Sequence, residues 1–178
     1  MKYFVGLWNP WKYYSQTRHN IGFIIMDKIY NKWWTQNFSY NNKFKAEVWE
    51  AFINNQKVCL LKPQNYMNRS WNVVRWFYDY YKLNIEDILI VYDDIDLPVW
   101  KVKLKYNWSA AWHKWLWDII QKLWTNSIPR LKIGVDRPPN KEDVVKYVLS
   151  NFTSSQMEEI DNSFAKIEEL IFQYMNDT

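Results

Sequence analysis

Hydrophobic and polar positions along this chain follow two periods. Short apolar runs predict strands, and segments with apolar residues three and four apart predict helices. Residues 2–7 (KYFVGL) read as a first strand and 8–19 as a polar loop. Asn20 stands where it can cap a helix over 21–34, striped by Ile21, Ile24, Ile25, Lys28 and Ile29. Two strands, 46–53 and 57–62, flank the turn Asn54-Asn55, a hairpin signal. Ser70 caps a helix to about 82 with Val73, Phe77 and Tyr80 on one face. The run 87–92 (DILIVY) is apolar without alternation, as in a strand covered on both faces. Residues 100–106 do alternate: Lys101, Lys103 and Lys105 face one way, Val102 and Leu104 the other. A helix over 113–123 and a strand over 130–135 follow, and Arg137-Pro138-Pro139 breaks the chain ahead of a short helix at 141–150. Ser155 and Glu158 have capping-box spacing and open a last helix striped by Met157, Ile160, Phe164, Ile167 and Ile171. Strands alternating with helices imply an α/β fold: a single domain over 1–178, with a twisted, mixed and largely parallel sheet and helices on both faces.

Composition narrows the class. The 178 residues suffice for one real core, and 48 % hydrophobic with 24 % charged is globular rather than disordered. A net charge of +4 is compatible with an anionic partner. A single cysteine, Cys59, precludes an internal disulfide and suits a reducing compartment. No apolar run approaches the ~18 residues of a membrane span. The start, MKYFVGL, lacks a signal-peptide pattern. The expectation is a soluble cytoplasmic protein. One feature is unusual: there are 3 glycines and 13 tryptophans, where average usage predicts about twelve glycines.

Ligands of open α/β sheets collect beyond the carboxyl ends of the strands. Those positions hold Asn9 and His19-Asn20 after the first strand, Gln64, Tyr66, Met67 and Asn68 after 57–62, and Asp93, Asp94 and Asp96 after 87–92. A histidine paired with an aspartate makes a general base, because the carboxylate fixes the tautomer and stabilises the imidazolium. Cys59 sits mid-strand and reads as core, and no serine is clearly placed as a nucleophile, so the inferred chemistry is attack by a histidine-activated water. Spacing alone leaves other readings open. His19 can be a surface residue or a helix cap; Asp93, Asp94 and Asp96 can be a solvated strand end or a magnesium site. His113, beside tryptophan and lysine, reads as structural. The abundant aromatics resemble a base-stacking surface, although most such residues are core.

Six segments together resemble one family, the bacterial-type peptidyl-tRNA hydrolases: VGLWNPWKYYSQTRHNIGF (5–23), LLKPQNYMNRS (60–70), DILIVYDDIDLPVWKVKLK (87–105), WSAAWHKW (108–115), PRLKIGVDRPP (129–139) and VVKYVLSNF (144–152). They occur in the family's order and cover nearly the whole chain; TRHN, YMN and YDDIDLP are the specific ones. The resemblance implies hydrolysis of the ester between a peptide and the terminal ribose of tRNA, by a monomer without metal or organic cofactor. It makes His19 the base and Asp93 its carboxylate. Asn9, Asn68 and Met67 fall on the peptide-holding side, and Tyr14, Tyr66 and Asn68 beside the CCA end. Lys103, Lys105, Lys114, Arg130 and Lys132 would meet acceptor-stem phosphates. Such contacts position RNA without reading sequence. From another class, a non-catalytic RNA-binding relative and a metal-dependent nuclease using Asp93, Asp94 and Asp96 are the alternatives.

Two departures stand out. Lys114 replaces the family's asparagine in a Gly-Gly-His-Asn-Gly run, and a lysine has donors only. Trp8, Trp11, Trp71, Trp100, Trp108, Trp112, Trp115 and Trp124 all stand at family glycines. At turns that need φ > 0, each would cost about 1–3 kcal/mol of strain. The one-directional exchange, with the glycine deficit, points to UGA codons that the source organism reads as glycine; a deliberately substituted chain is the alternative reading.

Overall fold

The continuous apolar runs form the middle of a sheet. In the computed structural model, which describes residues 1–7, 12–33, 39–64, 70–106 and 127–177, the strands are β1 (Lys2–Gly6), β2 (Ser39–Asn41), β3 (Ala46–Ile53), β4 (Gln56–Pro63), β5 (Ile88–Asp94), β6 (Val102–Lys105) and β7 (Arg130–Gly134). The helices are α1 (Ile21–Trp33), α2 (Ser70–Tyr81), α3 (Val144–Val148) and α4 (Ser154–Asn176). The sheet runs β2-β3-β4-β1-β5-β7-β6. Its centre, β4-β1-β5-β7, is parallel; β2-β3, β3-β4 and β6-β7 are antiparallel. The predicted mixed sheet with covered faces is therefore the observed one.

Side chains alternate across each strand, so the central strands β4, β1 and β5 each feed two cores. Phe4, Leu60, Leu89 and Val91 pack with Ile21, Ile25 and Ile29 of α1 and Ile160, Ile167 and Ile171 of α4. Tyr3, Val5, Cys59, Leu61, Ile88 and Ile90 point the other way, against Val73, Val74 and Phe77 of α2. Lys28, the polar member of the α1 stripe, pairs with Asp161 of α4. The β3–β4 hairpin turns on Asn54 (φ 52°) and Asn55 (φ 62°), the two left-handed positions that match strand twist and that asparagine tolerates.

Two expectations need revision. The last helix is capped by Thr153 and Gln156, two residues before the predicted box: Thr153 is extended (φ −74°, ψ 161°) and its side chain accepts from Gln156 N at 3.2 Å. α2 already includes Ser70 as its first residue. Of the tryptophans at family glycines, Trp8, Trp11, Trp108, Trp112, Trp115 and Trp124 lie outside the described residues. Trp71 is helical, and neither it nor Trp100 is among the left-handed residues; Trp100 is simply exposed. The predicted helix over 113–123 lies outside the described residues.

Candidate active site

β1 and β5 are parallel neighbours (Val5↔Ile90, Gly6↔Val91), and Leu7 N donates to Val91 O at 2.9 Å. The chain thus leaves β1 beside the carboxyl end of β5. It returns through a 3-10 turn, Arg18–Asn20, that runs directly into α1. Gly22 sets how closely α1 lies on the strands: a Cβ there would meet Val91 O at 2.5 Å and Leu7 O at 2.7 Å. Overpacking of this kind costs about 1–3 kcal/mol or displaces the helix. Only glycine lets the turn carrying His19 sit this near the end of β5.

Alternation along β5 then selects one aspartate. Leu89 and Val91 face α1, and Ile90 and Tyr92 face α2, so Asp93 falls on the α1 side. His19 Nδ1 lies 2.9 Å from Asp93 Oδ1 and 3.0 Å from Oδ2. Asp93 is 0 % exposed, whereas the His19 side chain is 11 % exposed. The carboxylate can only accept, so Nδ1 donates and Nε2 carries the basic lone pair. Burial strengthens this orientation, because a desolvated carboxylate is costly without its donor.

The other carboxylates part from Asp93. Asp94 pairs with Lys132 and accepts from Asp96 N at 2.8 Å, and Asp96 pairs with Arg137. Three carboxylates with three different partners do not converge as a magnesium site would require. Cys59 is buried in the sheet, and burial pushes its thiol up to about 12, which disfavours the thiolate a nucleophile needs.

The basic candidates share the opposite face. Lys103 lies across from Lys132 and Lys105 from Arg130, and directly opposed side chains project to one side. They are not equivalent. Lys103 and Lys105 are exposed. Lys132 is held by Asp94. Arg130 is 1 % exposed and hydrogen-bonded to Tyr92. Burial lowers the Arg130 guanidinium pKa, offset in part by Tyr92, and raises the Tyr92 phenol. A phosphate contact by Arg130 is therefore not what this conformation provides. Tyr14 is partly exposed, and its carbonyl accepts from Thr17 Oγ1 at 2.8 Å and Thr17 N at 3.0 Å. Asn9, Tyr66, Met67, Asn68, His113 and Lys114 lie outside the described residues. Arg18 went unassigned in the sequence. Its one local signal is a cation next to the candidate base, and its partners are more than a hundred residues away.

Comparison with known proteins covers the chain end to end. The family model for peptidyl-tRNA hydrolase matches residues 3–178. The peptidyl-tRNA hydrolase of Bacillus cereus (strain Q1) is 41 % identical over 177 residues, 99 % of this chain and 94 % of that one. That of Bacillus subtilis (strain 168) is 41 % identical over 162 residues, 90 % of this chain and 85 % of the relative. Among solved structures, the crystal structure of peptidyl-tRNA hydrolase from Acinetobacter baumannii superposes with a TM-score of 0.83 at 31 % identity, covering 99 % and 93 % of the two chains. The matched span runs from β1 through α4, and the chain belongs to the peptidyl-tRNA hydrolase family.

Proposed function

We propose that this chain hydrolyses the ester between a peptide and the 3′-terminal ribose of tRNA, with His19 as general base. The observation that carries the reading is the contact of His19 Nδ1 with both oxygens of a wholly buried Asp93, at 2.9 and 3.0 Å. In the scheme, Nε2 takes a proton from water as the water oxygen attacks the ester carbonyl carbon. The tetrahedral intermediate collapses by breaking the bond to the ribose oxygen, and the imidazolium returns its proton to that leaving oxygen. Asp93 stays ionised throughout and stabilises the imidazolium. The products are a free peptide carboxylate and tRNA.

Asn9 and Asn68, with Met67, are assigned the peptide portion, and Tyr14 and Tyr66 the CCA end, on the strength of the family motifs. Lys103 and Lys105 support contact with acceptor-stem phosphates, since they are exposed lysines on one strand and such contacts need charge without base readout. Lys114 and Lys132 are secondary members of that surface. The scheme uses water and imidazole alone, in a cytoplasmic monomer. Among the described residues no helix is long and apolar enough to cross a membrane.

A non-catalytic RNA-binding relative is the competing reading, and the oriented, buried pair disfavours it. Hydrolysis of N-blocked aminoacyl-tRNA separates the two. His19→Ala is expected to lower kcat by about 10²–10⁴-fold with tRNA affinity kept within a few-fold. Near-normal turnover would remove His19 as the base.

A further inference from the structure

Immediately before the base stands a cation that the scheme above does not use. Arg18 is 6 % exposed. Its Nη1 donates to Ser150 Oγ at 2.6 Å, Asn151 O at 2.8 Å and Ser150 O at 3.1 Å, and its Nη2 to Gln156 Oε1 at 2.7 Å. The guanidinium lies 4.2 Å from the centroid of the Tyr147 ring and 5.5 Å from that of Phe152. The backbone follows the side chain: Arg18 N donates to Ser150 O at 3.1 Å, Phe152 N to Gln16 O at 3.2 Å, and Thr17 bridges Asn151.

These acceptors belong to one junction. Tyr147 lies in the last turn of α3, and Ser150 and Asn151 follow its C-cap Leu149, where their carbonyls accept from Arg18. Gln156 belongs to the capping box that starts α4. Arg18 therefore ties the exit of one helix and the entry of the next to the turn that holds His19. The junction is itself anchored to the sheet. Tyr147 Oη donates to Val135 O at 2.8 Å, and Val135 N donates to Asp94 O at 3.1 Å. A circuit closes from Asp93 through His19, Arg18, Tyr147 and Val135 back to β5 at Asp94.

We infer that Arg18 is a positioning residue: by clamping the α3–α4 junction it fixes the backbone of His19 and hence the direction in which Nε2 presents its lone pair. The inference rests on the assignment of His19 as base. The physical case is that Asp93 holds one end of the imidazole, while the side chain and backbone of Arg18 hold the turn itself against the α3–α4 junction. A planar fork with five donors can bind carbonyls of the α3 end and the amide of Gln156 together; a lysine keeps the charge but not that spread. Misplacement of a catalytic group by about 1 Å is enough to cost about 10²-fold in rate.

The test is Arg18→Lys beside Ser150→Ala, which removes one acceptor and leaves the arginine. Steady-state turnover of N-blocked aminoacyl-tRNA, thermal melting and the NMR resonance of the His19 Nδ1 proton are read on both, with His19→Ala as the reference. Arg18→Lys is expected to lower kcat about 30- to 100-fold with KM within about 2-fold, and to shift or broaden the Nδ1 proton signal. Ser150→Ala is expected to do the same more weakly, at about 3- to 10-fold, and carries the test if Arg18→Lys does not fold. Lower melting temperatures with unchanged kcat and an unchanged His19 signal would overturn the inference, as would a rise in KM alone. If His19→Ala retains turnover, the base assignment fails; if it abolishes turnover while the Arg18 and Ser150 variants keep theirs, only the clamp fails.

Discussion

The two sides of β5 make opposite use of neighbouring aspartates. Asp93, on the α1 side, is wholly buried and holds the His19 imidazole at hydrogen-bond distance. Asp94, on the α2 side, pairs with Lys132, while Lys103 and Lys105 on the adjacent strand β6 face solvent. In the proposed scheme the difference separates chemistry from affinity. Proton transfer needs one lone pair aimed at one point, which a desolvated carboxylate and a clamped turn provide. Phosphate attraction is long-range and tolerant of direction, and under the proposed function exposed lysines would serve it.

The largest effect should come from the first side. Asp93→Asn keeps the shape but can stabilise the wrong tautomer, and kcat is expected to fall by about 10²–10⁴-fold while tRNA binding holds within a few-fold. A kcat within several-fold of the parent would break the comparison, since β5 would then do no catalytic work. The second side should answer differently. Lys103→Ala and Lys105→Ala are each expected to reduce the slope of log affinity against log salt by about 1, raising KM and sparing kcat at saturating substrate. A loss of kcat from the lysine variants would show that the two sides are not separable. The smallest readout is a mass. Protein isolated from its own source is expected to carry glycine at 8 and 11, ahead of the base, and at 100, ahead of β6. Tryptophan-containing peptides at 8 and 11 would end the recoding idea. At 100 the exchange should hardly alter activity, because Trp100 is exposed and its backbone is not left-handed.

Periodicity alone predicted most of the framework. The apolar run 87–92, the Asn54-Asn55 turn and the stripe from Ile160 to Ile171 all became the elements expected of them, because local side-chain spacing decides which face of an element is buried. Element ends were less legible. Ser155 and Glu158 fit a capping box as well as Thr153 and Gln156 do by composition, and the second pair wins because Gln156 Oε1 also accepts from Arg18. No local pattern carries that contact.

What the sequence by itself determined is a histidine-bearing loop after the first strand, a run of aspartates after a buried strand, and a lysine-alternating strand: an inventory with a topology class. The tertiary structure decided which aspartate the histidine meets. Strand order puts β5 beside β1, register puts Asp93 level with the turn that precedes α1, and Gly22 lets that turn approach. It also decided that Arg130 goes inside and that Arg18 becomes a clamp. The reason is range: alternation is encoded between neighbours, whereas strand order, register and burial are settled by the packing of segments distant in sequence.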